Sequence, residues 1–244
     1  MNILAIDTTT KVAGVAILNN DKIICESISN EITHSEKLLP LIDSTLEKSN
    51  LTLKDIDMYA AINGPGSFTG IRIGLSTLKA FSMIDNLKTF SLSSTLLMAY
   101  TSYLNNIDKF NKCEKIYALS MIDARNDRVY YALNSIHTNS DNKIVLDAIL
   151  ETSNDLIDDA INAIKQIIND ETIIIAGNCI NKYNEKLNTY FSNAILEDMY
   201  PTSCDLISAY QNISNAKDYI YDTYTLDAFY ARASQAERLQ NNEK

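Results

Sequence analysis

Apolar positions fall into short runs separated by polar turns, and the spacing within the runs changes along the chain. Ile3-Leu4-Ala5-Ile6 is a buried-strand run ended by Asp7 and three threonines. Val12 to Leu18 forms a second strand. Lys22 to Ser29 forms a third, after the turn at Asn19-Asn20-Asp21. A helix is predicted from near Thr33, where Thr33-x-x-Glu36 fits a capping box. Leu38, Leu41, Ile42, Thr45 and Ser49 share one face of it, and Leu39 and Leu46 widen the apolar arc beyond what one sheet would cover. Pro40 sits in the second turn, where a helix tolerates it better than later. A strand at 58–62, a glycine turn and a helix to Ile84 follow. Then come a strand at Thr89–Leu92, a helix at Ser94–Leu104 and a polar linker at 105–112.

The same order then recurs. Ile116 to Ile122 is a strand ending in Asp123, followed by the polar turn Ala124 to Asp127 and the run Val129 to Leu133. This parallels Leu4–Ile6, Asp7 and Val12–Leu18. Residues 154–168 carry helical spacing, and Thr172 to Asn178 reads as a strand ending at a glycine before a helix, echoing Met58 to Gly64. The pattern predicts two divergent copies of one α/β unit, 1–106 and 107–244. It also predicts a charged helical tail, Ala228 to Gln240. Between 137 and 225 no motif identifies a function.

Four of the six glycines lie within Gly64-Pro65-Gly66-Ser67-Phe68-Thr69-Gly70-Ile71-Arg72-Ile73-Gly74. A strand that enters a glycine turn and leaves as a helix points backbone N–H groups outward, so Gly64, Gly66, Ser67 and Arg72 are candidates to hold an anion. The run is not a Walker A loop, since no Gly-Lys-Ser/Thr follows. It also lacks dinucleotide spacing, because the third glycine comes one residue late. Gly70 and Gly74 lie four apart on one helical face. Each costs about 1 kcal/mol against alanine inside a helix. That cost fits a second helix approaching closely, within the chain or on a partner.

Hydrophobic residues make up 46% of the 244, enough for a real core. No apolar run reaches the roughly 18 residues of a membrane span. Nor does a basic region precede an apolar segment at the N-terminus, so a cytoplasmic protein is the simplest expectation. Cys25, Cys113, Cys179 and Cys204 are widely spaced, which predicts four reduced thiols rather than a metal or disulfide framework. The net charge of −10 makes the chain a poor binder of RNA on its own.

Asp7 and Asp123 each end a strand. Either they face each other and hold Mg²⁺ on a nucleotide, or each caps its own turn. Arg72 either anchors an anion or is an ordinary surface arginine. His34 could act as a base, but no nucleophile is placed beside it, which favours a capping or interface role.

Ile3 to Thr9, His34 to Ile42, Gly64 to Gly74, and Ile122 to Arg125 with Val129-Tyr130-Tyr131 occur in the order and spacing of the bacterial TsaB family, also called YeaZ. The tail Tyr230 to Arg238 resembles that family's end, without its usual proline before Tyr230. The resemblance implies two ribonuclease-H-like lobes of the actin, sugar-kinase and heat-shock ATPase type, with duplicated mixed sheets and flanking helices. It implies a part in making N6-threonylcarbamoyladenosine beside the anticodon of tRNAs that read codons beginning with A. The implied role is non-catalytic: binding and stabilising a TsaD-type transferase in a system with a TsaE-type ATPase, and forming a homodimer when the transferase is absent. On this resemblance the interface draws on His34, Leu38, Leu41, Ile42, Thr45, Gly70, Ile73, Gly74 and Thr77. This subunit would need no cofactor or metal of its own, Mg-ATP or ADP would belong to the assembled complex, and tRNA would be met only through the complex. With histidines only at 34 and 137, the transferase's H-x-x-x-H metal pair cannot exist here. The competing expectation is an ATPase or phosphotransferase using Asp7 and Asp123 with Mg-ATP.

Overall fold

The computed structural model describes residues 1–29, 34–111, 114–169 and 171–231. Five of the six strands of the first sheet, β1 (Ile3–Asp7), β2 (Val12–Asn19), β3 (Lys22–Ser29), β4 (Met58–Ile62) and β5 (Lys88–Leu92), lie in the order β5-β4-β1-β2-β3. β1, β2 and β3 pair antiparallel, whereas β4 joins β1, and β5 joins β4, in parallel. The parallel joins need crossovers, supplied by α1 (His34–Lys48) and α2 (Phe68–Asp85).

The second sheet repeats this plan. It comprises β6 (Ile116–Asp123), β7 (Arg128–Thr138), β8 (Ile144–Leu156), β9 (Ile173–Gly177) and β10 (Ile195–Asp198), in the order β10-β9-β6-β7-β8. The pairing senses are the same, and α4 (Ile157–Lys165) and α5 (Ile180–Tyr190) stand where α1 and α2 stand in the first copy. The duplication expected from Asp7 and Asp123 is therefore present strand by strand, as two ribonuclease-H-like α/β units.

Three cores follow from this plan. Leu4, Ile6, Val15 and Ile17 on one face of the first sheet pack with Leu38, Leu41, Ile42 and Leu46 of α1 and with Ile71, Leu75 and Leu78 of α2. α4 and α5 cover the outer face of the second sheet in the same way. Between the sheets lie α3 (Ser94–Asn106) and α6 (Ser203–Asn212), both deeply buried. They exchange places: α3 follows the first sheet but packs on β6 and β7, and α6 follows the second but packs on β1 and β2. Alternate residues of every central strand thus face apolar neighbours on both sides, which explains why those strands read as near-continuous apolar runs.

Residues after β10 return to the first sheet. β11 (Ile220–Asp222) pairs antiparallel with β5, and α6 sits on that sheet. Residues 116–198 build the second sheet, so the 107–244 half contributes elements to both.

Two expectations change here. Cys25 of β3 and Cys204 of α6 are joined as a disulfide, with Cα atoms 6.2 Å apart, while Cys179 stays free and buried. A separation of 179 residues hides that meeting from the sequence. The tail is not helical over Ala228 to Ala231, and the rest of the expected helix lies outside the described residues, as do Thr33 of the capping box, Cys113 and Arg232. Among the described residues no helix is long and apolar enough to cross a membrane.

Candidate functional site

The glycine turn packs against the turn after β1. Ser67 N–H donates to the Thr9 carbonyl at 2.7 Å, and a Cβ on Gly66 would lie 2.5 Å from that same oxygen. Ser67 caps α2, its hydroxyl accepting from Gly70 N–H at 3.2 Å. Gly64 has φ +112 and lies under the tail, where an added Cβ would be 2.5 Å from the Phe229 carbonyl. The Ser67 and Gly70 N–H groups are therefore engaged inside the chain.

Gly70 and Gly74 have the same cause. A Cβ on Gly70 would lie 1.9 Å from the Thr8 carbonyl oxygen, and one on Gly74 would lie 2.5 Å from Thr8 Oγ1. Thr8 Oγ1 donates to the Gly70 carbonyl at 2.7 Å. The spacing expected to admit a second helix admits the β1–β2 turn instead. Both glycines are buried against it.

Leu38, Leu41, Ile42 and Thr45 are all buried against the chain's own sheet. His34 Nε2 bonds the Thr10 carbonyl at 2.8 Å and ties the start of α1 to the same turn. Ile73 and Thr77 remain half-exposed on α2. With Thr69, Ser76, Ala80 and Ile84 they recur at three- and four-residue spacing, forming an uncharged outward stripe flanked by Arg72 and Lys79. Ile84 is 90% exposed and Met83 beside it 75%; Leu39 on the neighbouring α1 is 51% exposed. The sequence signalled this surface only through the over-wide apolar arc at Leu39.

The two aspartates are engaged separately. Asp7 is 5% exposed, and its Oδ1 accepts from Thr9 N–H at 2.8 Å and from the Thr9 hydroxyl at 2.7 Å. Burial pushes its carboxyl up to about 6, against the pull of those two bonds and of nearby His34. Tyr200, just ahead of α6, is half-buried and pushed up to about 12, mainly by desolvation and then by the Asp7 charge. Asp123 Oδ1 accepts from Arg125 N–H at 3.0 Å, the same i to i+2 device. It also faces Lys182 Nζ at 3.8 Å, which reaches Asp127 at 3.4 Å.

Asp123 is paired with Lys182, Asp7 Oδ1 is taken by Thr9, and among the described residues no three His, Cys, Asp or Glu side chains converge. Arg72 lies 3.8 Å over the Phe68 ring and donates from Nε to the Tyr230 hydroxyl at 2.8 Å, with no carboxylate partner among the described residues. It pins the tail to α2, a role that sequence spacing could not show.

Comparison with known proteins supplies the family context. Residues 22–225 match the family model described as TsaD: tRNA N6-adenosine threonylcarbamoyltransferase. The chain is 33% identical over 132 residues to the tRNA threonylcarbamoyladenosine biosynthesis protein TsaB of Escherichia coli, covering 54% of each chain. It is 32% identical over 133 residues to the Haemophilus influenzae protein of the same name, covering 54% of this chain and 53% of that one. The chain spans about half the length of the curated relatives it matches. Among solved structures, YeaZ from Pseudomonas aeruginosa superposes with a TM-score of 0.72 at 19% identity, covering 94% of this chain and 100% of that one.

Proposed function

Because the chain belongs to the family described as TsaD: tRNA N6-adenosine threonylcarbamoyltransferase, we propose that it serves tRNA threonylcarbamoyladenosine biosynthesis as a TsaB-like, non-catalytic subunit. In this reading it binds and stabilises a TsaD-type transferase, works beside a TsaE-type ATPase in the cytoplasm, pairs with itself when the transferase is absent, and meets tRNA only within the complex.

The observation that carries the reading is the uncharged stripe along the outer face of α2, from Thr69 through Ile73, Thr77 and Ala80 to Ile84, beside Arg72 and Lys79. In a chain of net charge −10, an exposed helix without a charge along its outward stripe is suited to burial against another protein. Acidic pairing across the interface is not required, so a partner helix of small and apolar residues fits best. The state of the two aspartates supports the absence of catalysis: each is spent on its own turn.

Titration calorimetry with a purified TsaD-type transferase tests the reading. The wild type should bind, and Ile84→Asp, at a position 90% exposed and so harmless to the fold, should weaken binding by about tenfold or more. No binding by the wild type, or equal binding by the variant, would remove the proposed face.

One observation favours a second reading, an ATPase or phosphotransferase. A buried carboxyl raised to about 6 at a strand end is the kind of group that active sites retain. Robust ATP turnover with Mg²⁺ that disappears in Asp7→Asn would establish it over the scaffold role.

A further inference from the structure

A cavity of about 300 Å³ opens where the start of α3, the β7–β8 pair and the β11 edge meet, away from the α2 face. Its lining is polar but almost uncharged. Ser93 and Thr95 come from α3 and the residue before it, Asn134 from β7, and Thr152 from β8. Among the described residues Glu151 is the lone carboxylate in the lining, and no lysine, arginine or histidine contributes. Tyr219, Tyr221 and Phe229 supply aromatic surface on the side of the first sheet.

Two carboxamides in this lining have unpaired side-chain atoms among the described residues, of which Asn63 Oδ1 alone is sealed from solvent. Asn134 is 3% exposed and lies two residues from Ile136, on the face of β7 that packs into the central core. Its side chain makes no hydrogen bond to any described residue, although its strand neighbours are fully paired. Asn63 follows β4, and its Oδ1 is buried without a partner. A buried amide left unsatisfied costs about 1–3 kcal/mol, so such groups are ordinarily paired with protein, water or ligand.

The chemistry of the lining narrows the occupant. Anions are disfavoured because no cation lines the cavity and Glu151 repels them. A purely apolar ligand would leave both amides unpaired. A carboxamide offers a donor and an acceptor side by side, and its complement is another donor–acceptor edge, as a nucleobase presents. Aromatic side chains suit a flat ring, and the volume is at the small end of the range for ligand sites.

We propose that this cavity binds an unphosphorylated nucleoside, its base edge on Asn134 and Asn63. The proposal goes beyond the scaffold reading and does not depend on it, because the test uses the isolated full chain. Adenosine, guanosine, cytidine and uridine are titrated separately, followed by calorimetry and amide chemical shifts, with the matching 5′-monophosphates in parallel. Two variants accompany the wild type: Asn134→Ala, and Ala148→Leu, which fills the cavity from an exposed position on β8.

Saturable binding of at least one nucleoside, weakened about tenfold in both variants and by a 5′-phosphate, is the expected result. The proposal is overturned if no nucleoside saturates in the low millimolar range, which would leave ordered water as the occupant. It is also overturned if a monophosphate binds more tightly than its nucleoside. Should Asn134→Ala lose its circular-dichroism signature, Ala148→Leu alone decides, and undiminished binding there rejects the site. None of these outcomes bears on transferase binding at α2.

Discussion

Replacing Gly70 and Gly74 separately by alanine tests why helix α2 carries glycines. If they exist for close approach to Thr8, the two substitutions should differ in a way the distances set. At Gly70 the new Cβ would lie 1.9 Å from the Thr8 carbonyl oxygen and 3.1 Å from its carbon. Backbone atoms cannot rotate away, so α2 or the β1–β2 turn must move. Overpacking of this kind costs about 1–3 kcal/mol and sometimes more, against about 1 kcal/mol gained in helix propensity. A net loss of about 2 kcal/mol is expected for Gly70→Ala, a shift of about 4–8 °C in the melting temperature. At Gly74 the obstacle is Thr8 Oγ1, a side-chain atom 2.5 Å away. Rotation clears it at the cost of the 2.7 Å bond to the Gly70 carbonyl, about 1 kcal/mol. The propensity gain offsets that, and Gly74→Ala should lie within about 1 kcal/mol of the wild type. In a Thr8→Ala background Gly74→Ala should become stabilising by about 1 kcal/mol, whereas Gly70→Ala should stay costly. Urea unfolding of the isolated chain, followed by circular dichroism, measures the wild type and every variant. A wild-type midpoint for Gly70→Ala, or a larger loss at Gly74 than at Gly70, would refute the packing argument and return the glycines to a partner helix.

Asp7→Asn should change how stability depends on pH. The folded-state carboxyl is raised to about 6 from an ordinary 3.8, so between those values the folded chain holds a proton that the unfolded chain has lost. Stability from this group therefore falls as pH rises from about 4 to 6, by about 3 kcal/mol in all. The asparagine carboxamide can still accept both Thr9 bonds, so the variant should be more stable at pH 7 and similar near pH 4; urea midpoints at both values check this, and a less stable variant at pH 7 would contradict it. Arg72→Ala removes the stack on Phe68 and the bond to Tyr230. Hydrogen exchange of residues 228–231 should speed up with global stability changed by less than about 1 kcal/mol; unchanged exchange would show that Arg72 does not hold the tail.

The first copy was legible because its elements are punctuated. Asn-Asn-Asp separates β2 from β3, and glycine and serine open α2 and α3, so β3 and β4 coincide with their expected bounds. The second copy was legible only where strands are buried on both faces, as at β6 and β9. β8 was missed because its outer half alternates poorly, with most positions from Asp147 onward exposed or half-exposed. α5 was expected after the glycine but without bounds, because only Ile180, Tyr183 and Leu187 are buried along eleven residues, and Tyr183 breaks its helical geometry. α6 did carry a readable signal, the capping box Thr202 to Asp205. At the candidate site the residue types were visible, but their contacts were not. Thr8 meets Gly70 across 62 residues, and Tyr230 meets Arg72 across 158. Such pairings are set by how the β1–β2 turn and the tail cross α2, which no local pattern encodes.

The central claim is that this chain supports a transferase through α2 and performs no chemistry with its aspartates. Reconstituted formation of threonylcarbamoyladenosine on tRNA, with a TsaD-type transferase and its accessory enzymes, tests it most directly. Product formation should depend on adding this chain. It should fall about tenfold or more with Ile84→Asp and stay within about twofold of the wild type with Asp123→Asn. Loss of activity in Asp123→Asn together with full activity in Ile84→Asp would contradict the account.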